Sequence, residues 1–225
     1  MKIVLATRNQ GKVRELVPIL KPLGFELVTQ DDLDIPSPEE TGKTFIENAL
    51  IKAREVSRFS GLPSIADDSG ICVPALMGQP GIYSARYAGP SATDQENNEK
   101  LVNALQTNSE NGAFYYCVLV FIRHENDPTP IIGTGEWHGS IVQTPSGQNG
   151  FGYDPYFWLE EYNCTAAELL PEKKNQISHR AQASQDLSTK LRKISINTPL
   201  AGSVANAWTD VNTPDLTRNV PTDSN

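Results

Sequence analysis

Cysteine is scarce. Cys72, Cys117 and Cys164 stand far apart, and no two form a Cys-x-x-Cys pair. An odd, scattered set supports neither a disulfide framework nor a zinc site, and reads as structural thiols in a reducing compartment. Long apolar runs are missing too. The longest, Cys117 to Ile122, falls far short of the ~20 residues that cross a bilayer, which excludes a spanning helix. The opening Met1-Lys2-Ile3-Val4-Leu5-Ala6 turns polar at Thr7-Arg8-Asn9, so no signal peptide and a cytoplasmic setting are expected. Basic residues are in deficit, 19 against 27 acidic, for a formal net charge of −8. Such a field repels nucleic acid, and no basic arm or aromatic-basic stripe offsets it. Anionic small molecules stay admissible where cations gather locally or a metal ion bridges. The rest is ordinary: 225 residues, 38% hydrophobic and 20% charged, suit one α/β domain or two lobes sharing a sheet.

Lys2 to Ala6 reads as a strand buried on both faces, because its apolar run does not alternate. Val13, Leu16, Val17 and Leu20 recur at helical spacing behind it, with Pro18 expected to bend or shorten that helix. Phe25 to Val28 predicts a second strand. Thr44-Phe45-Ile46-Glu47 reads as a capping box opening a helix with the stripe Phe45, Ala49, Ala53 and Val56, stopped at Gly61. A short strand from Pro63 to Ala66 leads into Asp67-Asp68-Ser69-Gly70. Thr93-x-x-Glu96 opens a helix bearing Leu101, Val102 and Leu105. Ala113–Arg123 and Ile131–Val142 read as antiparallel strands turning at Asn126-Asp127-Pro128. A last helix carries Ala183, Leu187, Leu191 and Ile194. Beyond about Asn197 periodicity fades, so 1–196 is expected as one domain and 197–225 as a flexible extension.

Four polar clusters fall at element boundaries. Thr7-Arg8-Asn9-Gln10-Gly11-Lys12 joins strand to helix, where amides and the helix dipole favour phosphate and Lys12 adds a cation; a plain turn with an Asn cap fits equally. Glu39-Glu40 precedes a helix in which Lys52, two turns in, faces either those carboxylates or a ligand. Thr41-Gly42-Lys43-Thr44 ends like a P-loop, but its first glycine would be Ser37 and no strand precedes it. Asp67-Asp68, adjacent at a strand end, repel unless a cation sits between them, and oxygen ligands with open positions suit Mg²⁺; the bland alternative is an Asx turn. Phe151-Gly152-Tyr153-Asp154 offers a flat wall, and Lys174, His179 and Arg180 offer donors for a planar ring.

In this order the clusters resemble the inosine triphosphate pyrophosphatase family. The resemblance rests on Thr7 to Lys12, Glu40-Thr41-Gly42-x-Thr44-Phe45-x-Glu47-Asn48-Ala49, Ser64 to Gly70, Pro80 to Tyr87, Gly150 to Pro155 and Ser178-His179-Arg180. It implies an α/β fold with an elongated mixed sheet flanked by helices, two lobes around a central cleft, and a cytoplasmic, Mg²⁺-dependent homodimer. The implied activity is hydrolysis of deaminated purine nucleoside triphosphates to monophosphate and pyrophosphate.

By position, the resemblance makes Asp68 the proton acceptor and a metal ligand, with Asp67 beside it and Glu40 as further metal ligand. Thr7 to Lys12 would hold the triphosphate, Lys52 would neutralise its charge, and Ser69 would touch substrate. Phe151, Gly152, Tyr153, Asp154, Lys174, His179 and Arg180 would hold the nucleotide and base. Arg8 stands where glycine is common in the family's first motif, so it either meets phosphate or points outward. An aspartyl-phosphate phosphatase is disfavoured, because Thr7-Arg8-Asn9 follows the first strand where an acidic nucleophile belongs. Two alternatives stay open: a pyrophosphatase for another aberrant nucleotide, and a non-catalytic nucleotide sensor.

Overall fold

The computed structural model describes residues 1–197, so the extension expected over 197–225 lies, past its first residue, outside the described residues. A seven-stranded mixed sheet runs β2-β1-β3-β4-β5-β6-β7. Its strands are β1 (Lys2–Ala6), β2 (Glu26–Thr29), β3 (Ser64–Cys72), β4 (Gly112–Ile122), β5 (Ile131–Ile141), β6 (Phe157–Leu159) and β7 (Cys164–Thr165). The first three pair in parallel, and every later neighbour pairs antiparallel. The helices are α1 (Gln10–Leu20), α2 (Phe45–Ser60), α3 (Asp94–Leu105), α4 (Pro171–Ile177) and α5 (His179–Asn197).

Strand alternation sorts the core into layers. Ile3, Leu5, Ile65, Cys117, Leu119 and Phe121 pack on one face against Leu16 and Leu20 of α1 and Ala183, Leu187 and Leu191 of α5. Val4, Ala6, Ala66, Val118 and Val120 pack on the other against Ala49, Ala53 and Val56 of α2. A third cluster, around Ile71, Tyr115, Trp137, Phe157 and Leu101 of α3, forms beyond the end of β1. The long strands β3, β4 and β5 join the two halves, and the cleft lies between them.

Helix α1 runs through Pro18 and gives way after Leu20 to one 3₁₀ turn, Lys21–Leu23. Gly61 ends α2 in the left-handed region at φ 66°. The box at Thr93 closes reciprocally, as expected. At Thr44 it does not: the hydroxyl caps the Glu47 amide, but the Glu47 carboxylate turns to the Lys43 amide at 2.8 Å. One expectation is corrected with consequences for the site. The strand holding Asp67 and Asp68 does not stop before them but continues to Cys72, because β4 pairs with it through Cys72↔Phe114. All three cysteines are free thiols.

The β4–β5 connection is closed by one buried carboxylate. Asp127 accepts from the Arg123 amide (3.0 Å), Arg123 Nε (2.7 Å) and Nη2 (2.6 Å), and the Thr129 amide (2.9 Å). Burial works to raise its pKa, but the Arg123 guanidinium and these backbone donors lower it from 3.8 to about 2. A folded-state pKa below the unfolded one gives stability that is complete above the unfolded value. It is lost as pH falls through the folded value. Asp127→Ala is therefore expected to cost about 2 kcal/mol at pH 7 by urea denaturation. The gap from wild type should narrow between about pH 4 and pH 2.

Candidate active site

The first motif leaves β1 and enters α1 through an Asn cap. Asn9 Oδ1 accepts from the amides of Gly11 (2.8 Å) and Lys12 (3.2 Å), so those two donors are already taken by the protein. Thr7, Arg8, Asn9 and Lys12 line a cavity of about 580 Å³ that opens where β1 ends. Gln10 does not; its amide reaches Asp31 at 3.4 Å. Gly11 is buried under the Phe151 ring, where an added Cβ would come within 2.8 Å of that ring. Arg8 is held sideways, with Nε on Asp31 (3.1 Å) and Nη2 on the Ile35 carbonyl (2.9 Å).

Because Asp67 and Asp68 lie mid-strand, their side chains project to opposite faces of β3. Among the described residues each pairs directly with its own cations, while Lys12 and Lys52 each act through space on both carboxylates. Asp67 is completely buried, ion-paired with Lys12 and with Arg180 Nε (3.1 Å), and also takes the Cys117 thiol. Burial opposes its charge, but Lys12 and Arg180 hold the carboxyl far below the usual range. On the other face, Lys52 Nζ bridges Asp68 Oδ1 (2.8 Å) and Glu40 Oε1 (2.9 Å). Arg86 Nη1 approaches Glu40 Oε2 at 3.3 Å. Burial works against the Lys52 ammonium, yet Asp68 and Glu40 overcome it and raise its pKa. Burial raises Asp68 despite Lys52. Its second oxygen, Oδ2, is buried with no partner among the described residues. Asp68 lines the cavity; Asp67 does not.

The opposite wall is built from the 151–154 loop and the α4–α5 junction. Asp154 ties it together, accepting from the Phe151 amide (2.9 Å), Lys174 Nζ (2.6 Å) and the Tyr115 hydroxyl (3.2 Å). Gly152, at φ 64°, is clamped from α3: its amide donates to Asp94 (2.7 Å) and its carbonyl accepts from Asn98 (2.9 Å). Ser178 breaks the two helices and caps α5, its hydroxyl accepting the Ala181 amide at 3.3 Å. The first turn of α5 then supplies His179 and Arg180. It lies directly on the backbone of β5 because Gly133 and Gly135 have no Cβ to fend it off; one at Gly135 would meet the Ala183 amide at 2.6 Å.

Cations at a helix N-terminus oppose the dipole. His179 avoids the conflict by staying neutral: burial, then Arg180 and Lys174, lowers its pKa well below 6.5. Its ring stacks on Tyr115 (4.6 Å, 9°), and Nδ1 has no partner among the described residues. Arg180 resolves the conflict by pairing, with Nε on Asp67, Nη1 on Glu15 and Nη2 on Ser69 Oγ (2.8 Å).

One cavity thus brings together Thr7, Arg8, Asn9, Lys12, Glu40, Lys52, Asp68, Ser69, Phe151, Gly152, Tyr153, Asp154, Lys174, His179 and Arg180. Four contributors escaped the sequence reading. Arg86 sits inside a motif to which no role was attached. Asp94 looks like a dipole residue beside the Thr93 cap. Tyr115 looks like strand core. Glu15 had a readable signal, three residues beyond Lys12 and so on the same face of α1.

A family model described as the Ham1 family matches residues 3–190. A dITP/XTP pyrophosphatase of Vibrio cholerae is 55% identical over 188 residues, covering 83% of this chain and 94% of that protein. Another of that name from Bordetella pertussis is 53% identical, covering 85% and 91%. Among solved structures, a HAM1 protein from Coxiella burnetii superimposes with a TM-score of 0.81 at 46% identity, over 86% of this chain and 99% of that one. A match of this length, at this identity and on this fold, has one meaning: the chain belongs to the Ham1 family.

Proposed function

We propose that this chain hydrolyses deaminated purine nucleoside triphosphates (ITP, dITP and XTP) to the monophosphate and pyrophosphate, and so clears aberrant purines from the nucleotide pool. The observation that carries the reading is one cavity with two chemically different ends. At one end stand Lys52, Glu40 and Asp68; at the other, an aromatic stack of His179 on Tyr115 flanked by Lys174 and Arg180, with Lys12 sharing Asp67 with Arg180. Polyphosphate suits the first and a planar ring the second. The relatives named dITP/XTP pyrophosphatase support the same assignment.

Asp68 orients the attacking water and takes its proton at Oδ2, the oxygen that Lys52 leaves unengaged. Attack at the α-phosphorus breaks the α–β anhydride, and Lys12 and Lys52 neutralise charge on the departing pyrophosphate. Glu40 and Asp68 are the residues that would hold a divalent cation, taken as Mg²⁺. Oxygen donors that already converge on one cationic group, Lys52, fit it, and two carboxylates leave positions for phosphate oxygens. When bound, Mg²⁺ adds Lewis-acid neutralisation of phosphate charge. Thr7 and Asn9 flank the polyphosphate and Ser69 the substrate. Arg8, tied to Asp31 and Ile35, touches it least. Residues 1–196 form the catalytic domain, working as a cytoplasmic homodimer, with 197–225 as an extension. No helix among the described residues is long and apolar enough to cross a membrane.

Base choice follows from hydrogen-bond sign. Hypoxanthine and xanthine present O6 and N7 acceptors to a wall of donors, whereas adenine places an N6 amino group there. A buried donor left unpaired costs about 1–3 kcal/mol. With Mg²⁺ present, kcat/KM for ITP is expected to exceed that for ATP by about 100-fold or more, scored by pyrophosphate release. Equal values would sink the base-end assignment. Tight ITP binding without pyrophosphate release would turn the reading into a sensor.

A further inference from the structure

Glu15 has no place on the cavity wall, yet it touches two side chains that do. Its Oε1 accepts from Lys174 Nζ at 2.9 Å, and its Oε2 pairs with Arg180 Nη1. Lys12, one turn earlier on the same face of α1, pairs with Asp67, and Asp67 pairs with Arg180. Four alternating charges therefore form a chain, Lys12–Asp67–Arg180–Glu15, whose two end members lie on one helix. Lys174, paired with Glu15, and its second carboxylate, Asp154 (2.6 Å), extend the chain to the 151–154 loop. The six groups sum to zero charge. Glu15 is the member that belongs to both cations at the base end.

We infer that Glu15 is a positioning residue for base recognition. It fixes Lys174 and Arg180 in the spacing that a purine's acceptor edge requires, and ties that spacing to the helix that carries Lys12. Without its charge, two neighbouring cations keep one carboxylate each and repel. The donor wall then loosens while Asp68, Lys52 and Glu40, on the other face of β3, keep their geometry. The inference rests on the proposed function and concerns the same cavity.

E15A strips both cations of a carboxylate and puts the fold at risk, so the test uses E15Q, which keeps volume and one acceptor. Steady-state kinetics with ITP and ATP are expected to show KM for ITP raised about tenfold and the ITP-over-ATP preference cut about tenfold. kcat should stay within about threefold of wild type. E15D keeps the charge but is one methylene too short to meet both cations. It should move KM and preference the same way, by about threefold. A merely structural Glu15 lowers the active fraction, so kcat falls while KM and preference hold; that result, or unchanged kinetics in both variants, overturns the inference. Wild-type enzyme is the control. No pyrophosphate from ITP in wild type defeats the functional reading itself, whereas wild-type turnover with an indifferent E15Q defeats only the role of Glu15.

Discussion

Asparagine at position 68 is expected to cut kcat for ITP by about 10³–10⁴ while leaving the thermal midpoint within a few degrees of wild type. The amide oxygen can still accept from Lys52, as Oδ1 does at 2.8 Å, so the local ion pair weakens but its geometry survives. What is lost is the second oxygen. An amide nitrogen there cannot accept a proton from water, and nothing else among the described residues shares that position. The neighbouring substitution is the control. Asp67→Asn removes a fully buried charge held by Lys12 and Arg180 on the opposite face, and breaking such a pair costs about 3–5 kcal/mol. Urea denaturation and kinetics should therefore separate the two: Asp67→Asn loses stability, Asp68→Asn loses rate. Near-normal turnover in Asp68→Asn removes it from the proton-accepting role.

That split was hidden in the sequence, where the two aspartates read as one electrostatic problem. The error came from ending the strand too early. Serine, glycine and paired acids look like a turn, and only the eleven-residue partner β4 forces the extended backbone to continue to Cys72. Once the strand is extended, the repulsion is relieved by geometry, since adjacent side chains face apart. Lys52 shows the opposite case: helical spacing from Thr44 placed it two turns in, and it does meet Glu40 and Asp68. The layers of the sheet were similarly legible, because Leu16, Leu20, Ala49, Ala53, Ala183 and Leu187 announce their faces by period. Glu15, Asp94 and Tyr115 were not legible as site residues. Their partners lie 165, 58 and 39 positions away, and no local pattern encodes a contact at that range. The amides at the start of α1 were read as phosphate donors, yet the Asn9 cap already holds two of them. That shifts the burden of binding polyphosphate onto the lysines.

Of those lysines, Lys52 carries the larger consequence. Lys52→Met preserves the aliphatic stem and removes the ammonium that lies 2.8 Å from Asp68 and 2.9 Å from Glu40. Two carboxylates that shared a cation then face each other, with Arg86 near only one of them. Polyphosphate, itself anionic, meets a net negative end of the cavity in place of a balanced one. Both ground-state binding and stabilisation of the departing pyrophosphate suffer, so kcat/KM for ITP is expected to fall by about 10³ or more, divided between KM and kcat. Lys52→Arg makes the cause testable. It restores positive charge, but a planar fork on a longer stem does not fit between two oxygens arranged around a single ammonium. The arginine variant should recover the thermal midpoint lost in Lys52→Met while recovering less than about a tenth of the rate. Full recovery by arginine would show that bulk charge at this end of the cavity is enough. A methionine variant within about tenfold of wild type would remove Lys52 from the chemistry altogether.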